Sequence, residues 1–532
     1  MLTESEFKRI FKSTGFPAPR EFQRETIEKA IKAFEDGKKY VIIQAPTGIG
    51  KSAISISIAN YFGNAFFATS QKILQTQYAQ DFKVPYVNSK ANYECLHHET
   101  SCNLCMKKIR GEEMCEDCPY IEARNIAFSS KICDLNYAYL FSMIGAMREQ
   151  FFKLASQREL MVCDECHNLP DELIKRGTIT ITEDEFNDYQ SRFGSALKMK
   201  LPDFSKMDYG AIIDWLRTIY NPFVHEKAKE YTSKLSNVKK HTNIKYYRAL
   251  NSVLEYYTQQ GCFTSDLFDM HIDKGFDVFI TKTKKSLTIK PFHAYGFFNM
   301  LRPYSKRFLF MSASILDKDE FCHELGLKPE LTEYISLDSP FPVQNRKIFF
   351  TPVGSMSWKN KGHTISSLVN RVDAILTKFK DQKGIIHTGN YEIAQRIIDG
   401  LKGTKNGSRF VMPMGTDRQK QLDDFYKSKN PLVLISPSLM EGVDLKDDRS
   451  RFSIICKVPY MSLGDNWVVQ KMRKNPKWYY LKTAEKLIQE TGRSIRSKTD
   501  YAFTFVLDKD FERFVARNKK MLPGWWFNSI MF

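Results

Sequence analysis

The 532-residue sequence has no long run of apolar residues. No stretch approaches the ~20 consecutive apolar residues that a membrane-spanning helix needs. The N-terminal segment, residues 1–9, also lacks the apolar core of a secretion signal. We therefore expect a soluble intracellular protein without a membrane partner, located in the cytoplasm, with the nucleoid or nucleus as alternatives. Internal repeats and low-complexity tracts are absent as well.

Acidic residues are scarce relative to basic ones. The chain has 61 Asp and Glu against 79 Lys and Arg, which gives a formal net charge of +18. An excess of this size favours a polyanionic partner, most simply a nucleic acid, although a generally basic surface without a polymeric ligand is the alternative. The length predicts about three or four domains of ordinary size.

A nucleotide-binding loop is the most specific motif in the chain. The loop follows the apolar run 40–44, precedes the apolar segment 53–59, and consists of Ala45, Pro46, Thr47, Gly48, Ile49, Gly50, Lys51 and Ser52. Loop amides and a helix N-terminus offer donors to phosphate oxygens, Lys51 adds a positive charge, and the Ser52 hydroxyl is placed to hold Mg²⁺. The order of strand, loop and helix is the context that a phosphate-binding loop requires, and it predicts binding of ATP or GTP.

Two adjacent acids follow a second apolar run. Asp164 and Glu165 come directly after residues 161–163, and His167 lies two positions further on. In phosphoryl transfer, Asp164 could hold the Mg²⁺ ion through its water shell, and Glu165 could orient and deprotonate the attacking water. His167 would couple this site to the next element. Cys163 and Cys166 flank the acids, and we interpret them as small buried residues.

Four segments in order resemble the motifs of superfamily 2 helicases. Residues 162–169 resemble the Walker B box, residues 308–314 the Ser-Ala-Thr motif, residues 434–444 motif V, and residues 489–496 motif VI. The segments 458–460, 497–501 and 508–511 are specifically similar to the XPD and DinG branch. The resemblance covers both ends and the centre of the chain and is weakest from 171 to 303.

The resemblance implies further residues of the ATP site. Gln489, Arg493 and Arg496 are spaced so that a single helix would carry them on one face, where they could neutralise charge on a transferred phosphoryl group. Gly442 and Asp444 belong to the segment that resembles motif V. Gln23, in a segment resembling the adenine-sensing region upstream of the phosphate loop, is the candidate base reader.

Five of the eleven cysteines fall in one interval, and these are Cys95, Cys102, Cys105, Cys115 and Cys118. Two Cys-x-x-Cys pairs this close indicate a metal site, but the spacing does not distinguish zinc from an iron–sulfur cluster. In the XPD and DinG branch a cluster-bearing insert lies in this interval, and its last ligand begins a Cys-Pro-Tyr segment, as Cys118 does. The resemblance therefore implies a [4Fe–4S] cluster on Cys95, Cys102, Cys105 and Cys118. Cys115 departs from the pattern, and its use in place of Cys95 would suit zinc better.

Alternating strand and helix patterns predict an α/β fold with two RecA-like, doubly wound parallel-sheet motor domains. The first would carry both a metal-cluster insert and a helical insert similar in position to the family's arch. The expected boundaries are 1–88, 121–170 and 304–340 for the first motor domain and linker, 89–120 for the cluster insert, 171–303 for the helical insert, and 341–532 for the second motor domain.

The resemblance implies a monomeric, ATP-dependent DNA helicase that requires Mg²⁺, moves 5′-to-3′ on single-stranded DNA and opens forked duplexes. Two alternatives remain at this stage. One is an ATP-gated nucleic-acid remodelling factor that does not unwind processively, and the other is a zinc-bearing helicase that acts on RNA. The sequence does not indicate which protein partners the chain has.

Overall fold

The structure is a computed structural model that describes residues 2–97, 101–105, 115, 117–146, 151, 155–195, 197–238, 244–437, 445, 447–492 and 498–532. Within these residues, no helix is both long and apolar enough to cross a membrane.

The first motor domain begins with alternating helices and strands. Its helices up to the second insert are α1 (Glu4–Lys12), α2 (Gln23–Glu35), α3 (Lys51–Phe62), α4 (Lys72–Phe82), α5 (Pro119–Ser129), α6 (Tyr137–Ala146) and α7 (Leu169–Arg176). Its strands in the same part are β1 (Tyr40–Gln44), β2 (Ala65–Thr69), β3 (Tyr86–Val87), β4 (Ile132–Asn136) and β5 (Arg158–Asp164). The predicted strand over residues 65–69 is confirmed, and β5 ends one residue beyond the predicted end at Cys163.

The second insert contains a small sheet in addition to its helices. Its elements are β6 (Ile179–Thr182), α8 (Glu183–Ser191), α9 (Tyr209–Trp215), α10 (Asn221–Ser236), α11 (Ile244–Met270), β7 (Val278–Lys282), β8 (Ser286–Pro291) and α12 (Tyr295–Phe298). The three strands form an antiparallel sheet in the order β6-β8-β7, and alternate residues of β8 are buried. The helices of this insert are predictable from the sequence pattern, whereas the sheet is an unexpected feature of the structure.

The first motor domain closes with β9 (Ser305–Ser312), α13 (Lys318–Leu325) and β10 (Thr332–Ser336). Its seven-stranded sheet has the order β10-β1-β9-β5-β2-β4-β3, and the strands pair in parallel. Residues of β1 alternate between two buried clusters, with Tyr40 and Ile42 in one and Val41 and Ile43 in the other. The sheet is therefore covered on both faces, which explains why its strands are continuous apolar runs.

The second motor domain repeats this architecture. Its strands are β11 (Ile348–Gly354), β12 (Gly384–His387), β13 (Phe410–Val411), β14 (Val433–Ser436), β15 (Phe452–Ile455), β16 (Phe503–Asp508) and β17 (Ile530–Met531). Its helices are α14 (Lys361–Lys378), α15 (Tyr391–Gly400), α16 (Arg418–Lys427), α17 (Asn466–Lys474), α18 (Pro476–Thr491), α19 (Asp510–Asn518) and α20 (Gly524–Phe527). The parallel sheet has the order β13-β14-β12-β15-β16-β11-β17.

Helices α17 and α18 join the second motor domain to the rest of the molecule. The indole Nε1 of Trp467 donates to the carbonyl of Pro291 in the second insert at 3.0 Å. Lys471 Nζ donates to Glu324 Oε2 of the first motor domain at 2.8 Å, and both side chains are buried. Helix α18 begins two residues after α17, and its C-cap residue Gly492 accepts a hydrogen bond from Thr47 of the first domain's nucleotide-binding loop.

Candidate active site and metal centre

The predicted phosphate loop connects the fully buried strand β1 to α3. Gly48 and Gly50 have φ values of 83° and 89°, in the left-handed region where a side chain would be strained. Gly50 is also the N-cap residue of α3, so Lys51 and Ser52 form the first turn of that helix. This arrangement supplies backbone donors and a helix N-terminus at one place, as phosphate binding requires.

Gln23 and Arg20 donate side-chain hydrogen bonds to backbone carbonyls of the phosphate loop. The side-chain amide of Gln23 donates to the carbonyl of Ile49 at 3.0 Å and accepts a hydrogen bond from the Arg20 backbone at 2.7 Å. Arg20 Nη1 donates to the carbonyl of Gly48 at 2.7 Å. A Cβ atom on Gly50 would lie 2.3 Å from Gln23 Nε2. Gln23 therefore contacts the loop itself, and its role in reading the base stays a prediction. Arg20 was not singled out from the sequence.

Asp164 ends β5 and is buried in a network of hydroxyl donors. The Tyr78 hydroxyl donates to Asp164 Oδ2 at 2.9 Å, and the Tyr137 hydroxyl donates to the Asp164 carbonyl at 3.1 Å. Burial, and then the charge of Glu165, raise the pKa of Asp164 to about 6. A buried carboxylate next to a second one is stabilised by a cation. This environment suits the predicted Mg²⁺ role.

The carboxylate of Glu165 lies between Lys51 and His167, two other residues of the predicted site. Its Oε1 is 3.6 Å from Lys51 Nζ, and its Oε2 is 3.4 Å from His167 Nδ1. The backbone of Glu165 has a φ of 47°, in the left-handed region that non-glycine residues rarely adopt. Such strain is commonly stored at functional sites, and here it accompanies a carboxylate that faces the phosphate loop.

His167 links three motifs through hydrogen bonds from both ring nitrogens. Its Nδ1 lies 2.8 Å from Ser312 Oγ, and its Nε2 lies 2.7 Å from Gln489 Nε2. Burial lowers the pKa of His167 to about 4, so the ring is neutral at physiological pH. Because an amide nitrogen can only donate, Nε2 accepts from Gln489 and the ring proton resides on Nδ1, which donates to Ser312. Gln489 also donates to Ser314 Oγ at 3.1 Å.

The second motor domain also contacts the phosphate loop directly. Thr47 Oγ1 donates to the carbonyl of Gly492 at 2.7 Å, and Trp526 Nε1 donates to Thr491 Oγ1 at 2.7 Å. Helix α18 ends at Thr491 with Gly492 as its C-cap. Gln489 lies in the last turn of this helix, whereas Arg493 and Arg496 are outside the described residues, so their place on the same face stays a prediction.

Four predicted residues lie outside the described part of the chain, and these are Gly442, Asp444, Arg493 and Arg496. Among the other ATP-site residues, the structure brings the loop 45–52, Gln23, Asp164, Glu165, His167 and Gln489 into one interdomain cleft.

The five clustered cysteines line one small cavity, together with Leu96, His97 and Pro119. Cys102, Cys115 and Cys118 are buried, whereas Cys95 and Cys105 are partly exposed, and none forms a disulfide. Burial, and then the neighbouring Cys118 sulfur, raise the pKa of Cys102 to about 11. Thiols crowded in this way become thiolates readily only when a metal replaces their protons. The donor set fits either a [4Fe–4S] cluster or zinc.

Aromatic residues connect the cysteine cluster to the motor domain. The Tyr120 hydroxyl, two residues after Cys118, lies 3.1 Å from the Tyr139 hydroxyl on α6. The ring of Tyr93 meets that of Tyr120 edge-on with centroids 5.7 Å apart. His97 and Asp117, which the sequence analysis did not select, lie beside Cys115, with the ligand atoms of all three within 4.8 Å of one another. Cys163 and Cys166 are fully buried, as predicted.

Family models match both ends of the chain. Residues 17–195 match the model described as type III restriction enzyme, res subunit, and residues 374–529 match the helicase C-terminal domain. An ATP-dependent DNA helicase, YoaA of Haemophilus influenzae, is 21% identical over an alignment 603 positions long. The alignment covers 94% of this chain and 92% of that protein. These matches support a superfamily 2 helicase of the XPD and DinG type. The chain is an ATP-hydrolysing enzyme.

Solved structures agree on the fold. An XPD helicase structure superimposes with a TM-score of 0.63 and 15% identity, and the match covers 97% of this chain and all of the other. The Xpd4 structure from S. tokodaii gives a TM-score of 0.57 at 15% identity, with 96% and 99% of the two chains covered. This helicase therefore has the predicted two RecA-like parallel-sheet domains.

Proposed function

We propose that the chain is an ATP-dependent DNA helicase that translocates 5′-to-3′ on single-stranded DNA and separates the strands of a forked duplex. The observation that carries the proposal is the hydrogen-bonded path from Gln489 through His167 to Ser312. This path joins the second motor domain, the hydrolytic acids and the Ser-Ala-Ser segment in one network. A change at the nucleotide would therefore alter the contact between the two motor domains, as a motor requires.

Each part of the phosphoryl-transfer site has a proposed role. The amides of residues 45–50 and Lys51 bind the phosphates, Ser52 and Asp164 hold Mg²⁺, and Glu165 activates the attacking water. Arg493 and Arg496 neutralise charge on the transferred phosphoryl group. Gln23 reads the base, while Gly442 and Asp444 connect the nucleotide to the second domain.

DNA is the proposed substrate for two reasons. YoaA, which matches this chain over 92% of its own length, is described as a DNA helicase. The net charge of +18 supplies the electrostatic attraction that a motor needs to hold a phosphate backbone without reading its sequence.

The cysteine cavity is the proposed site of a [4Fe–4S] cluster held by Cys95, Cys102, Cys105 and Cys118. When bound, the cluster supplies the folding free energy that a short insert cannot obtain from apolar burial. Tyr93 and Tyr120 then transmit the insert's position to α6 through the contact with Tyr139. Zinc on a set that includes Cys115 is the alternative.

The proposal is tested with protein purified without oxygen, a forked DNA duplex and the variant Glu165→Gln. We expect wild-type protein to hydrolyse ATP faster when single-stranded DNA is added and to displace the strand of the fork. The variant should bind the fork in the presence of ATP without displacing it, because it cannot activate the attacking water. Glu172→Gln, at a partly exposed acid five positions from His167, serves as a control for losing a nearby charge.

Two outcomes would contradict the proposal. If wild-type protein hydrolyses ATP on DNA but never displaces a strand, the chain is a nucleic-acid remodelling factor. If only RNA stimulates hydrolysis and only RNA duplexes are opened, the substrate assignment is wrong while the motor remains.

A further inference from the structure

Trp358 is the exposed exception among the six tryptophans, all of which the structure describes. Its side chain is 81% exposed, whereas Trp215, Trp467, Trp478 and Trp526 are at most 7% exposed and Trp525 is half-buried. Burying a large aromatic ring is strongly favourable, so its exposure gives no stability to the fold. The exposed indole therefore calls for an explanation outside the folding of the domain.

The segment that carries Trp358 is firmly anchored. The neighbouring Met356 is fully buried, and its backbone N–H donates to Asp508 Oδ1 at 3.0 Å. Ser355 Oγ bonds to Asp510 Oδ2 at 3.0 Å, and the Lys361 backbone N–H donates to the Ser357 carbonyl at 2.9 Å. The ring thus projects from a fixed base, which lowers the entropy lost when a partner stacks on it.

A lysine lies over the ring, and further basic residues lie near the carboxylate that pairs with it. Lys361 Nζ lies 4.1 Å from the centroid of the Trp358 ring and also pairs with Glu392. A hydrogen bond from Lys361, and the charges of Lys361, Arg396 and Lys457, lower the pKa of Glu392. We name Trp358, Lys359, Lys361, Arg396 and Lys457 the Trp358 patch. The five residues of the patch carry four positive charges, one of which pairs with Glu392, so the patch attracts anions.

The patch lies at the carboxyl edge of the second parallel sheet. Trp358 follows the end of β11, and Lys457 follows the end of β15. Gly389, just beyond β12, approaches Lys457 so closely that a Cβ on it would be 3.3 Å from the lysine Cβ. Ligands of open α/β sheets bind at this edge, where loops from several strands converge.

We propose that Trp358 is a stacking platform for one unpaired base of the strand on which the motor moves. This rests on the proposed function and adds a residue to it. Lys361 covers one side of the indole, and the high exposure leaves the other side open to a base. Lys359 and Lys457 would contact the adjacent phosphates. Stacking of this kind tolerates any base, as a sequence-independent motor needs.

A protein partner fits the patch less well than a nucleic acid. Protein interfaces depend on a contiguous apolar centre, from which lysine is depleted. Here a single aromatic ring is surrounded by lysine and arginine, which matches the alternation of bases and phosphates in a single strand.

The test measures how tightly the full-length protein binds a fluorescein-labelled oligo(dT). Trp358→Ala should weaken binding roughly 5- to 150-fold, the effect of losing one stacked base, whereas Trp358→Tyr should retain most of the affinity. Phe532→Ala removes another exposed aromatic of the same domain, one that packs against Phe350, and should leave affinity unchanged. The salt dependence should stay the same in Trp358→Ala and weaken in Lys457→Ala, which loses a phosphate contact.

Intrinsic fluorescence provides a second readout. Unlabelled oligo(dT) should quench the wild-type tryptophan emission, and Trp358→Phe should bind the oligonucleotide with much less quenching. If Trp358→Ala binds DNA as tightly as the wild type while DNA still stimulates hydrolysis, the proposal that a base stacks on Trp358 is wrong. The proposed helicase function stands in that case. If wild-type protein binds no oligo(dT) at all, both are wrong. Loss of a co-purifying protein from Trp358→Ala with unchanged DNA affinity would overturn the platform in favour of a protein contact.

Discussion

Gln489 of the second motor domain donates a hydrogen bond to His167 of the first, with 2.7 Å between the amide and imidazole nitrogens. Because His167 lies two residues after Glu165, this bond links the hydrolytic acids to α18 of the second motor domain. The same amide reaches Ser314, so one side chain contacts both the Walker B segment and the Ser-Ala-Ser segment. The bond explains how nucleotide chemistry could be transmitted to domain movement.

Replacing Gln489 with alanine should uncouple hydrolysis from DNA. The variant leaves His167 Nε2 without its donor, and the loss of one buried hydrogen bond should lower the DNA-stimulated rate about tenfold. Binding of a fluorescent ATP analogue should change little, since the phosphate loop keeps its own contacts. Gln419→Ala, at an exposed glutamine of the same domain, is the matched control. Wild-type stimulation in Gln489→Ala would contradict the coupling.

The neutral state of His167 predicts a specific pH dependence of stability. Its pKa is lowered to about 4 in the folded protein and is near 6.5 in the unfolded chain. Above pH 6.5 neither state is protonated, so this residue contributes no pH dependence there. As the pH falls from 6.5 to 4, the unfolded state binds a proton that the folded state does not, and stability decreases by up to about 3 kcal/mol.

The measurement for His167 compares chemical unfolding of wild-type protein and His167→Gln from pH 7 to pH 4. The wild type should lose more stability than the variant across this range, because glutamine does not titrate. Parallel losses in the two proteins would mean that His167 is not held neutral by burial.

Glu324 and Lys471 form a buried ion pair between the motor domains, with 2.8 Å between Glu324 Oε2 and Lys471 Nζ. Removing one partner leaves the other charge buried and unpaired, so Glu324→Gln should cost about 3 to 5 kcal/mol. The double variant Glu324→Gln with Lys471→Met should recover much of that loss. Urea denaturation of the single and double variants measures the coupling. Additive losses would show that the pair does not join the domains.

Cysteine variants test which side chains hold the metal, through the metal content and the visible absorption of the purified protein. Wild-type protein purified without oxygen should contain about four irons per chain and show a broad visible absorption band. Cys102→Ser should lose both, whereas Cys115→Ser should keep them. Cys262→Ser, at a partly exposed cysteine away from the cluster, is the control. Stoichiometric zinc in a colourless protein, or loss of iron in Cys115→Ser, would contradict the proposed ligand set.

Much of the fold follows from local pattern in the sequence. Buried parallel strands are short apolar runs bounded by turn residues, and the predicted strands at 384–387 and 452–456 agree with β12 and β15 to within one residue. The phosphate loop was predictable because glycine at positions 48 and 50 meets a backbone requirement that other residues meet poorly. The three-stranded sheet of the second insert was missed because its strands are short and half-exposed among long helices.

The contacts between distant segments could not be read from the sequence. Tyr78 is 86 residues from Asp164, and Thr47 is 445 residues from Gly492, so neither hydrogen bond has a local signal. The hydrogen bond from Trp526 to Thr491, at the end of α18, likewise joins segments 35 residues apart. Arg20 contacts the loop through a backbone carbonyl, for which many side chains could serve.

Directional movement on single-stranded DNA is the central claim, and displacement of streptavidin from a biotinylated oligonucleotide tests it most directly. With ATP present, the wild-type protein should free streptavidin from a 3′ biotin much faster than from a 5′ biotin, and Glu165→Gln should free neither. Equal slow release from both ends, with ATP hydrolysis intact, would show that the chain binds and remodels DNA without translocating along it.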